Sequence, residues 1–137
     1  MFENIVPGLV GEWLSLVVPE NTARHLGSGG VSVFATPEMI RLMEGAAVRA
    51  VDSLLPEGYR TVGVVVNVRH LAATPLGMAV RARAELLAVE GRKLTFKVEA
   101  HDDLERIGEG THQRMIIDVA RFKERTEAKS ARHKGGD

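Results

Sequence analysis

The stretch TPEMIRLMEGAAVRAVDSLLPEG, residues 36–58, decides the fold, because it contains the one long helix that the sequence predicts. Thr36 is a favourable N-cap, and Pro37 suits the first helical position. Pro56 and Gly58 end the helix at about Leu55. One side of this helix is polar, whereas the other carries an apolar stripe made of Ile40, Ala47, Val48, Val51 and Leu55. The stripe must therefore pack against another element.

Strand patterns lie on both sides of this helix. VGEWLSLVV (residues 10–18) predicts a first strand, ENTARHLGSGG (20–30) a mobile connection, and VSVFA (31–35) a short strand. Beyond the helix, apolar and polar residues alternate between tight turns, which is typical of antiparallel strands with one buried face. These strands are predicted at residues 61–72, 80–86, 93–100 and 106–122.

This order of elements favours an α+β domain. One helix cannot cover both faces of such a sheet, so the economical arrangement is the hot-dog fold, a curved antiparallel β-sheet wrapped around one long central α-helix. We assign residues 1–122 to this single domain and residues 123–137 to a polar, disordered tail. Because the arrangement leaves sheet edges uncovered, we expect a homodimer.

Composition excludes several classes of protein. The chain has 137 residues, with 18 Lys plus Arg and 18 Asp plus Glu, a balance that argues against binding nucleic acid or an anionic membrane. It has no Cys, which excludes disulfides, thiolate metal sites and a Cys nucleophile and suits a reducing cytoplasm. We see no secretory signal and no apolar run of the roughly 18 residues that a membrane span needs. We see no metal-ligand spacing, phosphate loop or dinucleotide motif either, so we expect a cytoplasmic protein without a cofactor.

Glu44 is the most informative polar residue, because it lies within the apolar stripe between Ile40 and Val48. A carboxylate there loses part of its hydration, which costs stability unless a partner compensates it. Glu44 is therefore either a site carboxylate at the helix centre or a residue at the edge of the stripe that reaches water or pairs with an arginine.

His70 and Thr36 each have two interpretations as well. His70 continues the register of Val62 through Val68, so it faces the apolar side if no bulge intervenes. It is then a core residue or, with Glu44 as its partner, a general base. Thr36 caps the helix or holds a thioester oxygen where backbone N–H groups gather. Because Thr36 and Glu44 lie roughly 12 Å apart on one helix, either the helix begins later or the site combines groups from two subunits.

The last strand and the one after the helix offer weaker candidates. His112 and Arg114 share a face with Gly108 and Gly110. Glycines in strands, including Gly63, allow a ligand or a backbone to come close, or they mark bulges. The residues alone do not decide between these interpretations.

Five segments together resemble the family of fluoroacetyl-CoA thioesterases of the hot-dog type. They are TARHLGSG (22–29), ATPEMIRLMEGAAVRA (35–50), VGVVVNVRHLAATPLG (62–77), AELLAVEGRKLTFKVEAHD (84–102) and IGEGTHQRMIID (107–118). Each segment is weak alone, but their order and spacing are specific and cover most of residues 22–118. The resemblance implies a catalytic set of Thr36, Glu44 and His70, with Gly63 and Arg114 lining the site and binding the substrate or its CoA. It also implies a homodimer that hydrolyses an acyl-CoA thioester without a metal.

We therefore predict an acyl-CoA thioesterase that converts a small acyl-CoA thioester to free acid and CoA, with its Thr/Glu/His site at or near a dimer interface. Water attacks the thioester or Glu44 forms an acyl intermediate, with His70 as general base or acid, and the sequence leaves both routes open. The alternative is a non-catalytic acyl-CoA-binding or sensing domain of the same fold. A hot-dog hydratase would also use a histidine and a carboxylate, but its motif is absent.

Overall fold

The computed structural model describes residues 1–135 of the chain. Within these residues, five strands and three α-helices alternate with two short 3₁₀ turns, Pro19–Asn21 and Asp52–Leu54. The strands and helices, in chain order, are Val10–Leu16 (β1), Ala23–Leu26 (α1), Thr36–Val51 (α2), Tyr59–His70 (β2), Ala79–Glu90 (β3), Lys93–His101 (β4), Arg106–Asp118 (β5) and Val119–Lys134 (α3).

One antiparallel sheet contains all five strands in the order β1-β3-β4-β5-β2. The buried face of α2 packs against its inner surface and consists of Met39, Leu42, Met43, Ala46, Ala47, Ala50 and Val51. The sheet contributes Val80, Ala82, Ala84, Leu86, Leu94, Phe96, Val98, Ala100, Ile107 and Ile116. Burial of each large side chain in this core contributes about 1.5–3 kcal/mol. A sheet around one central helix is the hot-dog fold, so that prediction is confirmed.

Two glycines bring α2 into close contact with β1. A Cβ atom at Gly45 would overlap the ring of Trp13, and one at Gly11 would overlap the backbone of Ala46. The guanidinium of Arg49 lies 3.9 Å from the centroid of the Trp13 ring and covers it from outside. Because α2 packs mainly against β1 and β3, it leaves the inner face of β2 at the opposite sheet edge largely uncovered.

The segment before α2 differs from its prediction. Residues 31–35 do not form a strand and make only isolated bridges. The connection before them is held in place, because the buried side chain of Asn21 donates to the carbonyl of Leu16 and accepts the N–H of Val18, both at 2.9 Å. Backbone hydrogen bonds from Ala23 to Val33 at 2.8 Å and from Ala35 to Asn21 at 3.0 Å add to this support, which strand and helix patterns do not reveal.

A β-bulge at Val64 interrupts the pairing of β2 with β5. A bulge adds one residue and so reverses the alternation of faces. Val62 therefore faces the outer surface of the sheet, whereas Val66, Val68 and His70 face the side of α2. The prediction of one continuous face from Val62 to His70 is wrong, although His70 itself points inward as expected.

The C-terminal residues form a helix rather than a disordered tail. β5 ends at Asp118, earlier than the predicted residue 122, and the Asp118 side chain caps α3 by accepting the N–H of Arg121 at 3.3 Å. Every residue from 121 to 134 is exposed, so the cap and helix-favouring residues stabilise α3 without burial. The expectation of disorder is thus wrong for residues 123–134, and residues 136–137 lie outside the described part. None of the helices in residues 1–135 is long and apolar enough to cross a membrane.

Candidate active site

Thr36 and His70 form a hydrogen-bonded pair. Thr36 is the first residue of α2 and Ala35 is its N-cap, so the Thr36 hydroxyl does not cap the helix as predicted. This hydroxyl instead lies 2.7 Å from Nδ1 of His70, the last residue of β2. The pair thus joins the start of the central helix to the end of the edge strand.

The pair opens into a cleft of about 320 Å³, whose other lining residues are Ala23, Ser28, Val33, Phe34, Leu71, Ala72 and Ala73. The second ring nitrogen of His70, Nε2, is buried and has no hydrogen-bond partner within residues 1–135. Burial lowers the pKa of His70, and the backbone of Ala72 partly opposes this shift. Because the shift lowers the pKa from an ordinary value of about 6.5, the imidazole is neutral near pH 7.

Glu44 lies at the border of the buried face of α2, not within it as predicted. Ile40 and Val48, one turn before and after, are likewise only partly buried, and the Glu44 side chain is 41% exposed. Its Oε2 lies so close to β2 that a Cβ atom at Gly63 would be 2.7 Å away. A side chain at residue 63 would therefore displace the carboxylate.

Arg114 on β5 is the ionic partner of Glu44. Its Nη1 lies 3.6 Å from Oε2 of Glu44, and the arginine side chain is only 7% exposed. Its Nε donates to Oγ1 of Thr61 at 2.8 Å, and its Nη2 donates to the carbonyl oxygen of Thr61 at 3.0 Å. Burial lowers the pKa of Arg114, whereas Asp52 and Glu44 oppose this shift. A guanidinium engaged in this way is better placed to support Glu44 than to contact CoA.

Asp52 and Thr61 extend this group of polar residues. The Thr61 hydroxyl donates to Oδ1 of Asp52 at 2.6 Å, and the Thr61 N–H donates to Oδ2 at 3.1 Å. Asp52 belongs to the 3₁₀ turn at the end of α2, so the link ties the helix end to β2. Because the hydroxyl and the backbone N–H of Thr61 each donate to one carboxylate oxygen, Thr61 and Asp52 hold each other in one orientation.

His112 is the remaining buried member of the group. Its Nδ1 lies 2.7 Å from the carbonyl oxygen of Val65, and its Nε2 lies 3.1 Å from Nη1 of Arg114. Because a carbonyl only accepts and a guanidinium only donates, Nδ1 carries the proton and Nε2 accepts. Burial lowers the pKa of His112, the Val65 carbonyl opposes the shift, and Arg114 adds to it. His112 is therefore a neutral acceptor near pH 7.

The predicted site residues form two separate groups in one subunit. The structure brings Thr36 together with His70, and Glu44 together with Gly63 and Arg114. Thr36 and Glu44 lie roughly 12 Å apart along the continuous helix α2, and His70 and Gly63 lie roughly 23 Å apart along β2. Since α2 begins at Thr36, a later start of the helix is excluded. Among residues 1–135, no group of three or more His, Asp or Glu side chains is placed to hold a metal ion.

Asp52 and Thr61 were not among the residues predicted from the sequence. The helical pattern places Asp52 on the polar side of the predicted helix, which gives no sign of a role in the site. Thr61 has one usable signal, since it lies two residues before Gly63 and therefore on the same face of β2. The bulge that brings this face and that of Val66 to the same side of the sheet has no signature in a run of valines.

Comparisons with known proteins concern the domain as a whole. The family model described as FlK, fluoroacetyl-CoA-specific thioesterase, matches residues 17–120. The fluoroacetyl-CoA thioesterase of Streptantibioticus cattleyicolor is 41% identical over 121 residues, which cover 84% of this chain and 87% of that protein.

Solved structures resemble the chain over almost its whole length. A variant of FlK in complex with fluoroacetate and CoA is 40% identical, with a TM-score of 0.81, and the match covers 86% of this chain and 99% of that one. A Thermus thermophilus hypothetical protein, described as a thioesterase superfamily member, is 31% identical, with a TM-score of 0.89 and coverage of 96% and 97%. With the family match over most of its length, the chain belongs to the FlK family of hot-dog thioesterases, and it is a thioester hydrolase.

Proposed function

We propose that this chain hydrolyses the CoA thioester of a small acyl group in the cytoplasm, using only water and its own side chains. The observation that carries the proposal is the Thr36–His70 pair, joined at 2.7 Å at a cleft of about 320 Å³. The fluoroacetyl group in the names of the relatives supports a small acyl group. One relative is named as a fluoroacetyl-CoA thioesterase, and a solved structure is a complex with fluoroacetate and CoA. Both descriptions support a CoA thioester as the substrate.

Hydrolysis breaks the C–S bond and forms a C–O bond at the acyl carbon. The water oxygen bonds to this carbon, one water proton passes to a base, and the sulfur leaves as the CoA thiolate, which takes up a proton. His70 suits the proton transfers because its imidazole is neutral and Thr36 fixes the orientation of the ring. Glu44 either positions the water or attacks the acyl carbon itself, giving an anhydride that water then hydrolyses.

The site requires two subunits, because Thr36–His70 and Glu44 are too far apart in one chain to act on one carbonyl group. We infer that the Thr36–His70 pair of one subunit works with Glu44 of the partner subunit in a homodimer. A two-fold axis makes this exchange reciprocal, so a dimer has two complete sites.

β2 offers the surface for such a dimer. It is an edge strand of 12 residues, and Val64, Val65 and Val66 are 51%, 44% and 42% exposed. Val66 also faces the side of α2, where the helix of its own subunit does not cover it. Long apolar edges of this kind are normally covered by another strand.

An antiparallel pairing of two β2 strands about Asn67 joins the two groups. In this register Val66 lies opposite Val68 of the partner subunit. Because the bulge at Val64 takes up one residue, Gly63 lies opposite the partner's His70. Both positions face the side of α2, so Glu44 beside Gly63 approaches the partner's catalytic pair.

Release of free thiol from a panel of CoA esters tests the activity. The panel contains acetyl, propionyl, malonyl, phenylacetyl and long-chain esters, and we expect the highest kcat/KM for the smallest acyl groups. No turnover of any ester would contradict the proposal and favour a binding domain. A preference for long chains would contradict the small acyl group but not thioester hydrolysis.

Sedimentation at micromolar concentration tests the assembly. We expect a dimer or a larger even-numbered assembly, and Asn67→Lys should weaken it because two like charges would face each other at the two-fold axis. Thr95→Lys, which adds the same charge to the outer face of β4, is the control. A fully active monomer would contradict a shared site.

A further inference from the structure

The hydrogen bonds around Arg114 have directions that follow from the chemistry of each partner. We call Asp52, Thr61, Arg114 and His112 the buried relay. The Thr61 hydroxyl donates its hydrogen bond to the carboxylate of Asp52, so its oxygen is left to accept the Nε–H of Arg114. This arrangement holds the Nε side of the guanidinium against β2.

His112 accepts a hydrogen bond from one of the two N–H groups on Nη1 of Arg114. Val65 fixes the proton of His112 on Nδ1, which leaves Nε2 as an acceptor for Nη1 at 3.1 Å. The second Nη1 proton is then available to Oε2 of Glu44 at 3.6 Å. Rotating the guanidinium away from Glu44 would break its bonds to both Thr61 and His112.

Glu44 has little else to hold it in one conformation. Its side chain is 41% exposed, and Ile40 and Val48, one turn before and after it on α2, are only partly buried. Exposed glutamate side chains sample several rotamers, and ordering one costs conformational entropy. Arg114 is the group that opposes this freedom, because it is buried and cannot follow a moving carboxylate.

We propose that Asp52, Thr61 and His112 are positioning residues, which hold Arg114 so that it keeps Glu44 in the one conformation that hydrolysis uses. This inference rests on the proposed function, in which Glu44 acts on the thioester. Within residues 1–135, none of these three residues forms a hydrogen bond or ion pair with Glu44, whereas Arg114 does pair with it, so we assign their effect to Arg114. A misplacement of about 1 Å at a reacting group can cost on the order of 100-fold in rate.

Thr61→Val tests the relay, because valine keeps the shape of threonine and removes the hydroxyl. We expect kcat to fall about 10- to 100-fold with KM little changed, since Arg114 does not bind the substrate in this account. Thr61→Ser, which retains the hydroxyl, should restore most of kcat. Thr95→Val on the outer face of β4 is the matched control and should leave both constants unchanged.

A double-mutant cycle separates positioning from a general loss of structure. In a Glu44→Gln background, Thr61→Val should lower kcat no further, because the carboxylate it positions is already gone. If Thr61→Val does not fold, Asp52→Asn takes its place in the same cycle. Equal losses with and without the Glu44 carboxylate, or wild-type kcat in Thr61→Val, would overturn the inference.

The same measurements distinguish this inference from the proposed function. If Glu44→Gln keeps full activity, Glu44 does not act in hydrolysis, and the positioning role of the relay is contradicted with it. If Glu44→Gln is inactive but Thr61→Val is fully active, only the positioning role fails.

Discussion

The two polar groups of the site differ in how they are supported. Thr36 and His70 share one hydrogen bond at the mouth of a cleft, and Nε2 of His70 has no partner within residues 1–135. Glu44, in contrast, pairs with Arg114, which is held by hydrogen bonds to Thr61 and His112. The first group is open to a substrate and the second is part of the fold. We infer that changes to the first affect mainly catalysis, whereas changes to the buried residues that support Glu44 affect stability as well.

The largest effect is expected from His70→Ala. Loss of a general base or acid lowers kcat by about 10²- to 10⁴-fold, and the melting temperature should change little because the ring lies at the cleft. Steady-state thiol release and circular dichroism measure both properties, with His101→Ala at the exposed end of β4 as the control. Near-wild-type turnover in His70→Ala would make His70 a structural residue.

Glu44→Gln is expected to have the next largest effect on the rate. Removing a charged group that acts in the transition state costs on the order of 10²–10³-fold in kcat. The fold should keep its stability, because the amide oxygen still accepts from Arg114 and the carboxylate is partly exposed. A large fall in melting temperature with full activity per folded molecule would show that Glu44 is structural.

Arg114→Ala and Thr36→Ala compare the stability of the two groups directly. Loss of the guanidinium leaves the carbonyl oxygen of Thr61 and Nε2 of His112 without their donors, and each such buried group costs about 1–3 kcal/mol. Thr36→Ala breaks one hydrogen bond beside a cleft that water can enter, so its effect on the free energy of unfolding should be smaller. Urea denaturation measures both, and a greater loss in Thr36→Ala would reverse the comparison.

The smallest expected effect is a dependence of stability on pH through His112. Burial lowers the pKa of His112 in the folded state, so the unfolded chain binds the proton more readily below its own pKa of about 6.5. The folded state therefore keeps this stability above about pH 6.5 and loses it as the pH falls, by at most about 1.4 kcal/mol per pH unit.

His112→Gln removes this titration and should flatten the loss of stability between neutral and mildly acidic pH. The comparison uses urea denaturation at several pH values. His133→Gln, on the exposed helix α3, is the control for the loss of an imidazole. An unchanged acid dependence in His112→Gln would assign the effect to another group, such as His70.

Patterns local in the sequence predicted much of this fold. Pro37, Pro56 and Gly58 bracket the central helix, and alternation of apolar residues marks the strands, because both features follow from neighbouring residues. α3 has no apolar stripe, so a criterion based on burial missed it. Its cap at Asp118 and its alanine, glutamate and lysine residues were the available signals.

The residues of the candidate site could be predicted from the sequence, but their arrangement in space could not. The resemblance to a family selected Thr36, Glu44 and His70, and the structure divides them into two groups. Thr61 and Asp52 could not be predicted from the sequence, because Thr61 bonds to Arg114 and Asp52 bonds to Thr61 across long sequence distances. A bulge in a run of valines determines which face of β2 carries these residues, and no local sequence pattern indicates that bulge.

A heterodimer that carries His70→Ala in one subunit and Glu44→Gln in the other tests the shared site most directly. With different affinity tags on the two chains, this heterodimer can be purified away from both inactive homodimers. If each site takes His70 from one subunit and Glu44 from the other, one of the two sites is intact, and we expect about half of the wild-type activity. An inactive heterodimer that is folded and stable would contradict a site shared between subunits.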